Sequence, residues 1–127
     1  MTGRQILLVD DEEGILEFVG HIVSDVFPNC VVQTAPNGVE AFKICKARRF
    51  DLIVTDHKMP LMTGTDLIVN LRTKPSLNSK TPVIMLSGFI DTHFKTILNS
   101  RGIAFVDKPI DMQKFKLELE KQGLMTK

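Results

Sequence analysis

The chain has 127 residues, of which 43% are hydrophobic, and 16 Lys and Arg side chains nearly balance 15 Asp and Glu. This length is enough for one compact domain and too short for two ordinary ones. A formal charge of +1 excludes a general attraction to nucleic acid or an anionic membrane. No apolar stretch approaches the roughly 18–20 residues of a membrane span, and Cys30 and Cys45 lack metal-ligand spacing. We therefore expect a soluble, cytoplasmic domain with two buried thiols.

Five short apolar runs recur along the chain. Each run is continuous rather than alternating, which is typical of strands covered on both faces and hence of a parallel sheet. The runs are residues 6–9, 31–32, 52–54, 83–86 and 103–106. They predict five strands.

The segments between and after these runs carry apolar residues at helical spacing, and proline and glycine turn signals separate them. The predicted helices contain, in chain order, Ile15, Phe18, Val19, Ile22, Val23 and Val26; Val39, Phe42, Ile44 and Cys45; Leu67, Ile68 and Leu71; Phe94, Ile97 and Leu98; and Phe115, Leu117 and Leu119. Five strands alternating with five helices predict an open, doubly wound α/β sheet. Ligands of such sheets bind beyond the carboxyl ends of the strands.

Polar residues follow four of the predicted strands. Asp10 and Asp11 follow the first strand, and Asp56 follows the third. Carboxylates forced together repel, and a divalent cation such as Mg²⁺ keeps them ionised while leaving coordination positions for phosphate oxygens. The alternative is that Asp11 caps a helix, with Glu12 and Glu13 favouring its positive end.

The remaining strand ends suit phosphoryl chemistry. A carboxylate beside a cation can attack a phosphoryl group, and the transition state then needs positive charge at the equatorial oxygens. Lys108 after the fifth strand can supply that charge, and Ser87 after the fourth can donate a hydrogen bond, while Gly88 allows close approach. Taken singly, these residues fit an ordinary turn and a solvated lysine.

From about Gln5 to about Leu119 the chain resembles the receiver domain of two-component response regulators. Residues 56–64, with sequence DHKMPLMTG, match the D-x-x-M-P-x-M-x-G pattern of that family at every fixed position. The resemblance implies a flavodoxin-like fold with strand order 2-1-3-4-5. It also implies a single receiver domain over residues 1–127, with a core over about 5–122 and no output domain in this chain.

By the same resemblance, Asp56 is the phosphoacceptor. Asp11, Asp56 and the backbone carbonyl of Lys58 hold Mg²⁺ or Mn²⁺, and Asp10 acts on the metal largely through water. Lys108 contacts the phosphoryl group. The domain takes that group from a sensor histidine kinase or phosphotransfer protein, and its catalysis is limited to its own phosphorylation and dephosphorylation, so it is not an enzyme in the usual sense.

The resemblance also implies a switch, in which Ser87 moves toward the phosphoryl group and the ring of Phe105 turns inward. Plain core packing is the alternative for Phe105. Lys58 and Phe89 flank the site, and we hypothesise that they slow dephosphorylation by pairing with the phosphoryl group and by screening water. Alternatively, both side chains point into solvent.

The three histidines receive no catalytic role. His57 lies beside the acceptor but reads as a solvated loop residue, and neither His21 nor His93 has a second metal ligand at a suitable spacing.

The fourth helix, fifth strand and fifth helix form the surface that this family uses for a downstream protein or for a homodimer. Here it carries a basic rim around two aromatic residues, namely Lys95, Arg101, Lys114 and Lys116 around Phe94 and Phe115. A charged, solvated face is the alternative. With no helix-turn-helix segment and no excess positive charge, we expect no direct binding to nucleic acid or to a membrane.

Three other functions remain as alternatives. A haloacid-dehalogenase-like phosphatase would carry D-x-D after the first strand, but Glu12 stands two residues beyond Asp10. A flavodoxin-like mononucleotide binder would place hydroxyls and backbone donors there, whereas this loop is acidic. The third alternative is a receiver-like module that binds partners without phosphorylation.

Overall fold

The computed structural model describes residues 3–74, 76–88, 95–96, 99 and 102–125. Its strands are β1 (Gln5–Val9), β2 (Val31–Ala35), β3 (Leu52–Asp56), β4 (Val83–Ser87) and β5 (Ile103–Asp107). Its helices are α1 (Glu13–Val26), α2 (Gly38–Ala47), α3 (Gly64–Thr73) and the C-terminal helix (Met112–Met125). The predicted fourth helix rests on Phe94, Ile97 and Leu98, which lie outside the described residues. No helix in the described ranges is long and apolar enough to cross a membrane.

The five strands form one parallel sheet in the order β2-β1-β3-β4-β5, as the resemblance implied. Strand order reverses beside β1, so the carboxyl ends of β1 and β3 flank the expected crevice. The register of the last pair places Ser87 opposite Asp107. The residues that follow β1, β3, β4 and β5 therefore meet at one edge of the sheet.

The two faces of the sheet carry separate apolar cores. On one face Leu7, Ile53 and Met85 pack with residues of α2 and α3. On the other, Leu8 and Val54 pack with residues of α1 and the C-terminal helix. Because side chains alternate along a strand, each functional residue at a strand end can be assigned to one of these faces.

Three expectations about burial are wrong. Residues 31–32 were expected to be covered on both faces, but β2 is an edge strand and Val31 is 44% exposed. In the C-terminal helix Phe115 and Leu119 are buried four residues apart, whereas Leu117 lies between them on the opposite side and is 59% exposed. Cys45 is buried and burial raises its pKa to about 12, while Cys30 is only partly buried.

A buried asparagine fixes the edge of the sheet opposite the crevice. The Asn78 carboxamide oxygen accepts hydrogen bonds from the Phe50 amide at 2.8 Å and from the Thr81 hydroxyl at 2.9 Å. Its amide group donates to the carbonyls of Cys45 and Arg48, each at 2.8 Å. Through this one side chain, these four bonds join the end of α2, the start of β3 and the loop before β4.

Candidate functional site

The acidic pair after β1 is divided between interior and solvent. Asp10 is only 2% exposed, and its Oδ1 accepts a hydrogen bond from the Glu12 amide at 2.9 Å. Asp11 is exposed. The helix-cap alternative for Asp11 is wrong, because the N-cap of α1 is Glu12 and it makes no side-chain capping bond. Glu12 and Glu13 are exposed.

Asp56 ends β3 and is buried at the same edge, with 6% exposure. Its Oδ1 accepts a hydrogen bond from the His57 amide at 2.9 Å. The carbonyl of Asp56 lies against the start of α3, where a Cβ on Gly64 would come within 2.4 Å of that oxygen. The glycine of the motif is therefore required for close packing of α3 on the backbone of Asp56.

Lys108 connects the two buried carboxylates. Its Nζ lies 3.0 Å from Asp56 Oδ1 and 3.6 Å from Asp10 Oδ2. The Lys108 amide donates to the Ser87 carbonyl at 2.8 Å, and the peptide bond between Lys108 and Pro109 is cis. The expected meeting of residues from the first, third and fifth strands thus occurs in the structure.

Electrostatics at the crevice make the ionised form of Asp10 costly when no cation is bound. Burial raises the pKa of Asp10 to about 6, and the charges of Asp56 and Asp11 add to the rise, although the Glu12 amide and Lys108 oppose it. Burial acts to lower the pKa of Lys108, but its hydrogen bond to Asp56 and the charge of Asp10 outweigh burial and the pKa is raised. Lys108 is therefore a fixed cation at neutral pH.

The donor set fits a divalent cation. One oxygen each of Asp10, Asp11 and Asp56 lies within 4.8 Å of the others. Asp10 Oδ2 is buried and has no hydrogen-bond partner within the described part of the chain, with Lys108 just beyond bonding distance at 3.6 Å. A buried acceptor without a donor is costly, and a hard cation with oxygen ligands relieves that cost.

The predicted switch residues lie on the other face of the sheet. Asp10, Asp56 and Lys108 continue the alternation that faces α1 and the C-terminal helix. Buried Ser87 continues the alternation of Met85 on the opposite face, and partly buried Phe105 packs against that core. By this alternation, the side chain of Phe105 packs on the face opposite the one to which Asp56 belongs.

The residues expected to flank the site have mixed positions. Lys58 is exposed, as its solvent alternative requires, and Phe89 lies outside the described residues. His57 lies in the loop after β3 as expected, but it is half-buried rather than fully solvated, and its Nδ1 lies 3.1 Å from the Thr65 hydroxyl. His21 is exposed on α1, and His93 is outside the described residues.

Thr65 was not among the predicted site residues. The sequence does carry a signal for its position, because Thr63 and Asp66 form a reciprocal capping box at the start of α3. Thr65 therefore belongs to the first turn of that helix, next to the loop of residues 57–63 that follows Asp56.

The surface expected to bind a partner comprises the fourth helix, β5 and the C-terminal helix. Its described residues differ from the expected basic rim around Phe94 and Phe115. Phe115 is fully buried in the core, and the exposed apolar residue of the C-terminal helix is Leu117. Lys95 forms an ion pair with Asp107 at 2.9 Å. A groove of about 290 Å³ runs along β5 and this helix, and its charged lining mixes two lysines, Lys114 and Lys121, with three acidic residues, Asp107, Asp111 and Glu118. Phe94 and Arg101 lie outside the described residues, and Lys116 is half-buried.

Comparisons with known proteins agree with this geometry. The family model for the response regulator receiver domain matches residues 6–120. Chemotaxis protein CheY-3 of Vibrio cholerae is 31% identical over a match that covers 92% of this chain and 89% of that protein. The receiver domain of Francisella response regulator 1452 superposes with a TM-score of 0.83 at 26% identity, covering 98% of this chain and 99% of that one.

Other relatives are much longer. The cyclic di-GMP phosphodiesterase response regulator RpfG of Xanthomonas campestris is 29% identical over 85% of this chain, but the match covers only 29% of RpfG. The chain thus spans less than a third of that relative. The chain therefore belongs to the response regulator receiver domain family of two-component signalling.

Proposed function

We propose that Asp56 of this receiver accepts a phosphoryl group from a phosphohistidine of a sensor histidine kinase or phosphotransfer protein. The observation that carries the proposal is the bridge that Lys108 makes between buried Asp56 and Asp10, at 3.0 and 3.6 Å. A buried carboxylate that is held beside a lysine and a second acid at a sheet edge is suited to attack phosphorus. Family membership favours this function over the phosphatase and mononucleotide alternatives.

In the transfer, a carboxylate oxygen of Asp56 forms a bond to phosphorus as the phosphorus–nitrogen bond breaks and its electron pair returns to the donor imidazole. The His57 amide and Lys108 both contact Asp56 Oδ1, so the carboxylate is oriented before the donor arrives. The Lys108 ammonium then lies where charge accumulates on the phosphoryl oxygens.

We assign the metal site to Asp10, Asp11, Asp56 and the backbone carbonyl of Lys58, with Mg²⁺ or Mn²⁺ as the ion. The cluster of carboxylate oxygens and the unpartnered Asp10 Oδ2 support this assignment. When bound, the ion neutralises negative charge on the phosphoryl group. Asp10 is buried and Asp11 is exposed, so we expect Asp10 to tune the site and Asp11 to meet the ion from the solvent side.

Output is assigned to Ser87, Phe105 and the groove along β5 and the C-terminal helix. Ser87 is buried and Phe105 is only partly buried, so the ring has room to change position. A downstream protein or a second copy of the chain would read that change at the groove, where exposed Leu117 offers an apolar contact.

Incubation with acetyl phosphate, with and without Mg²⁺, tests the proposed acceptor by intact-mass measurement. We expect the wild type to gain one phosphoryl group only with Mg²⁺, and Asp56→Asn to gain none. Asp25→Asn is the matched control, because Asp25 is an exposed carboxylate on α1 away from the crevice. An unlabelled wild type, or equal labelling of Asp56→Asn, would contradict the proposal.

Decay of the labelled protein tests the two flanking residues. If the Lys58 ammonium pairs with the phosphoryl group and Phe89 screens water, Lys58→Ala and Phe89→Ala both shorten its lifetime. Unchanged decay in both variants would remove these side chains from the mechanism.

A further inference from the structure

The backbone of His57 connects the proposed acceptor to two neighbouring elements. Its amide lies 2.9 Å from Asp56 Oδ1 and 3.0 Å from the Leu86 carbonyl of β4. Its carbonyl accepts a hydrogen bond from Gly64, the first residue of α3, at 2.8 Å. Since Lys58 follows directly, a shift of His57 moves the acceptor contact and the proposed metal-binding carbonyl together.

The loop that begins here contains a disfavoured turn. Leu61 has a φ of 71°, and the Met62 amide donates to the Pro60 carbonyl across it at 2.8 Å. This is a γ-turn with positive φ at a residue other than glycine, which persists only when surrounding contacts hold the backbone. The Leu61 side chain is 84% exposed and contributes little packing. The turn is therefore held by Met59 and Met62, which pack against the core, and by the two ends of the loop.

The far end of the loop is held by the start of α3, where Thr63 and Asp66 form the capping box. The near end makes two hydrogen bonds to the same turn of helix. The His57 carbonyl accepts from the Gly64 amide, and the ring Nδ1 of His57 lies 3.1 Å from the Thr65 hydroxyl. With one backbone hydrogen bond, His57 could still rotate about that bond. Two hydrogen bonds to adjacent residues of α3 fix the orientation of His57. The tautomer of the ring decides which partner donates.

We propose that His57 is a positioning residue. The hydrogen bond between its ring and the Thr65 hydroxyl, called here the clasp, fixes the loop of residues 57–63 to α3 and so holds the Lys58 carbonyl in place for the metal. The proposal rests on the function proposed above and adds a role that His57 does not have in the sequence motif, where its position is variable. It predicts that loss of the clasp weakens cation binding and slows phosphorylation without unfolding the domain.

Thr65→Val removes the hydroxyl at nearly constant volume, and Thr65→Ser restores it. We expect Thr65→Val to weaken Mn²⁺ binding, measured by electron paramagnetic resonance, and to slow labelling by acetyl phosphate, each by about 3-fold to 10-fold, the effect of one hydrogen bond. Thr65→Ser should return both values close to wild type. Thr73→Val is the matched control, since it removes a hydroxyl that bonds the Val69 carbonyl at the other end of α3.

Wild-type Mn²⁺ affinity in folded Thr65→Val, or a Thr65→Ser variant that behaves like Thr65→Val, would overturn the clasp. His57→Leu removes the ring nitrogen from the other partner and must give the same loss, which keeps the test decisive if Thr65→Val folds poorly. A wild type that binds Mn²⁺ but gains no phosphoryl group would refute the proposed function, while the Mn²⁺ affinities would still decide the clasp.

Discussion

Neutralising Asp10 should stabilise the metal-free protein at neutral pH. Burial raises the pKa of this carboxyl from 3.8 to about 6 in the folded state, so the fold holds its proton more tightly than the unfolded chain does. The stabilising effect of that proton is complete below pH 3.8 and is lost as the pH rises through 6. At about 1.4 kcal/mol per pKa unit, ionised Asp10 costs the fold about 3 kcal/mol at pH 7.5.

Asp10→Asn removes this cost and keeps an acceptor for the Glu12 amide. We expect the free energy of unfolding to rise by up to about 3 kcal/mol at pH 7.5, and by much less at pH 4.5, where Asp10 is protonated in the native wild type. Urea unfolding followed by far-ultraviolet circular dichroism measures this, because the chain has no Trp or Tyr for fluorescence. Adding Mg²⁺ should shrink the gain, since the ion stabilises only the protein that binds it.

The matched control is Asp11→Asn, which removes an exposed charge from the same loop and should stabilise less. An Asp10→Asn variant that is no more stable than wild type at pH 7.5 without metal would refute the reasoning. An equal gain at both pH values would refute it as well, because the effect would then not come from ionisation.

Three further substitutions test other parts of the structure. Gly64→Ala places a Cβ 2.4 Å from the Asp56 carbonyl, so we expect a loss of about 1–3 kcal/mol in stability and slower labelling, checked by thermal unfolding and intact mass. Lys108→Ala should slow labelling roughly 100-fold while Mn²⁺ binds more tightly, because the carboxylates lose a neighbouring cation; weaker Mn²⁺ binding would contradict this. Asn78→Ala breaks four hydrogen bonds, three of them fully buried, far from the crevice and should cost about 2–4 kcal/mol in urea unfolding, with unchanged Mn²⁺ affinity in the folded protein.

The sequence predicted the positions of the strands best, because burial on both faces alone determines the pattern there. Continuous apolar runs located all five strands, because burial on both faces leaves no polar alternation; the structure extends each run by one to three residues. The rule failed at Val31, since the apolar run does not reveal that its strand lies at an edge of the sheet. Strand order came from the family resemblance and not from periodicity.

The candidate site divides in the same way. That Asp10, Asp56 and Lys108 meet follows from the parallel sheet, whose carboxyl ends share an edge. The contact of His57 with Thr65 depends on how the loop between them turns back at Leu61, and no local pattern encodes that path. Likewise, Phe115 and Leu117 have similar hydropathy, and only the rotation of the last helix decides which one is buried.

The main chain and the side chain of Ser87 contact different parts of the fold. Its carbonyl accepts the Lys108 amide at 2.8 Å, while its side chain continues the face that carries Phe105. Replacing the side chain removes the hydroxyl but leaves the main-chain bond that supports Lys108. Under the output role proposed for Ser87, we therefore expect a substitution at this position to separate uptake of the phosphoryl group from its transmission to a partner.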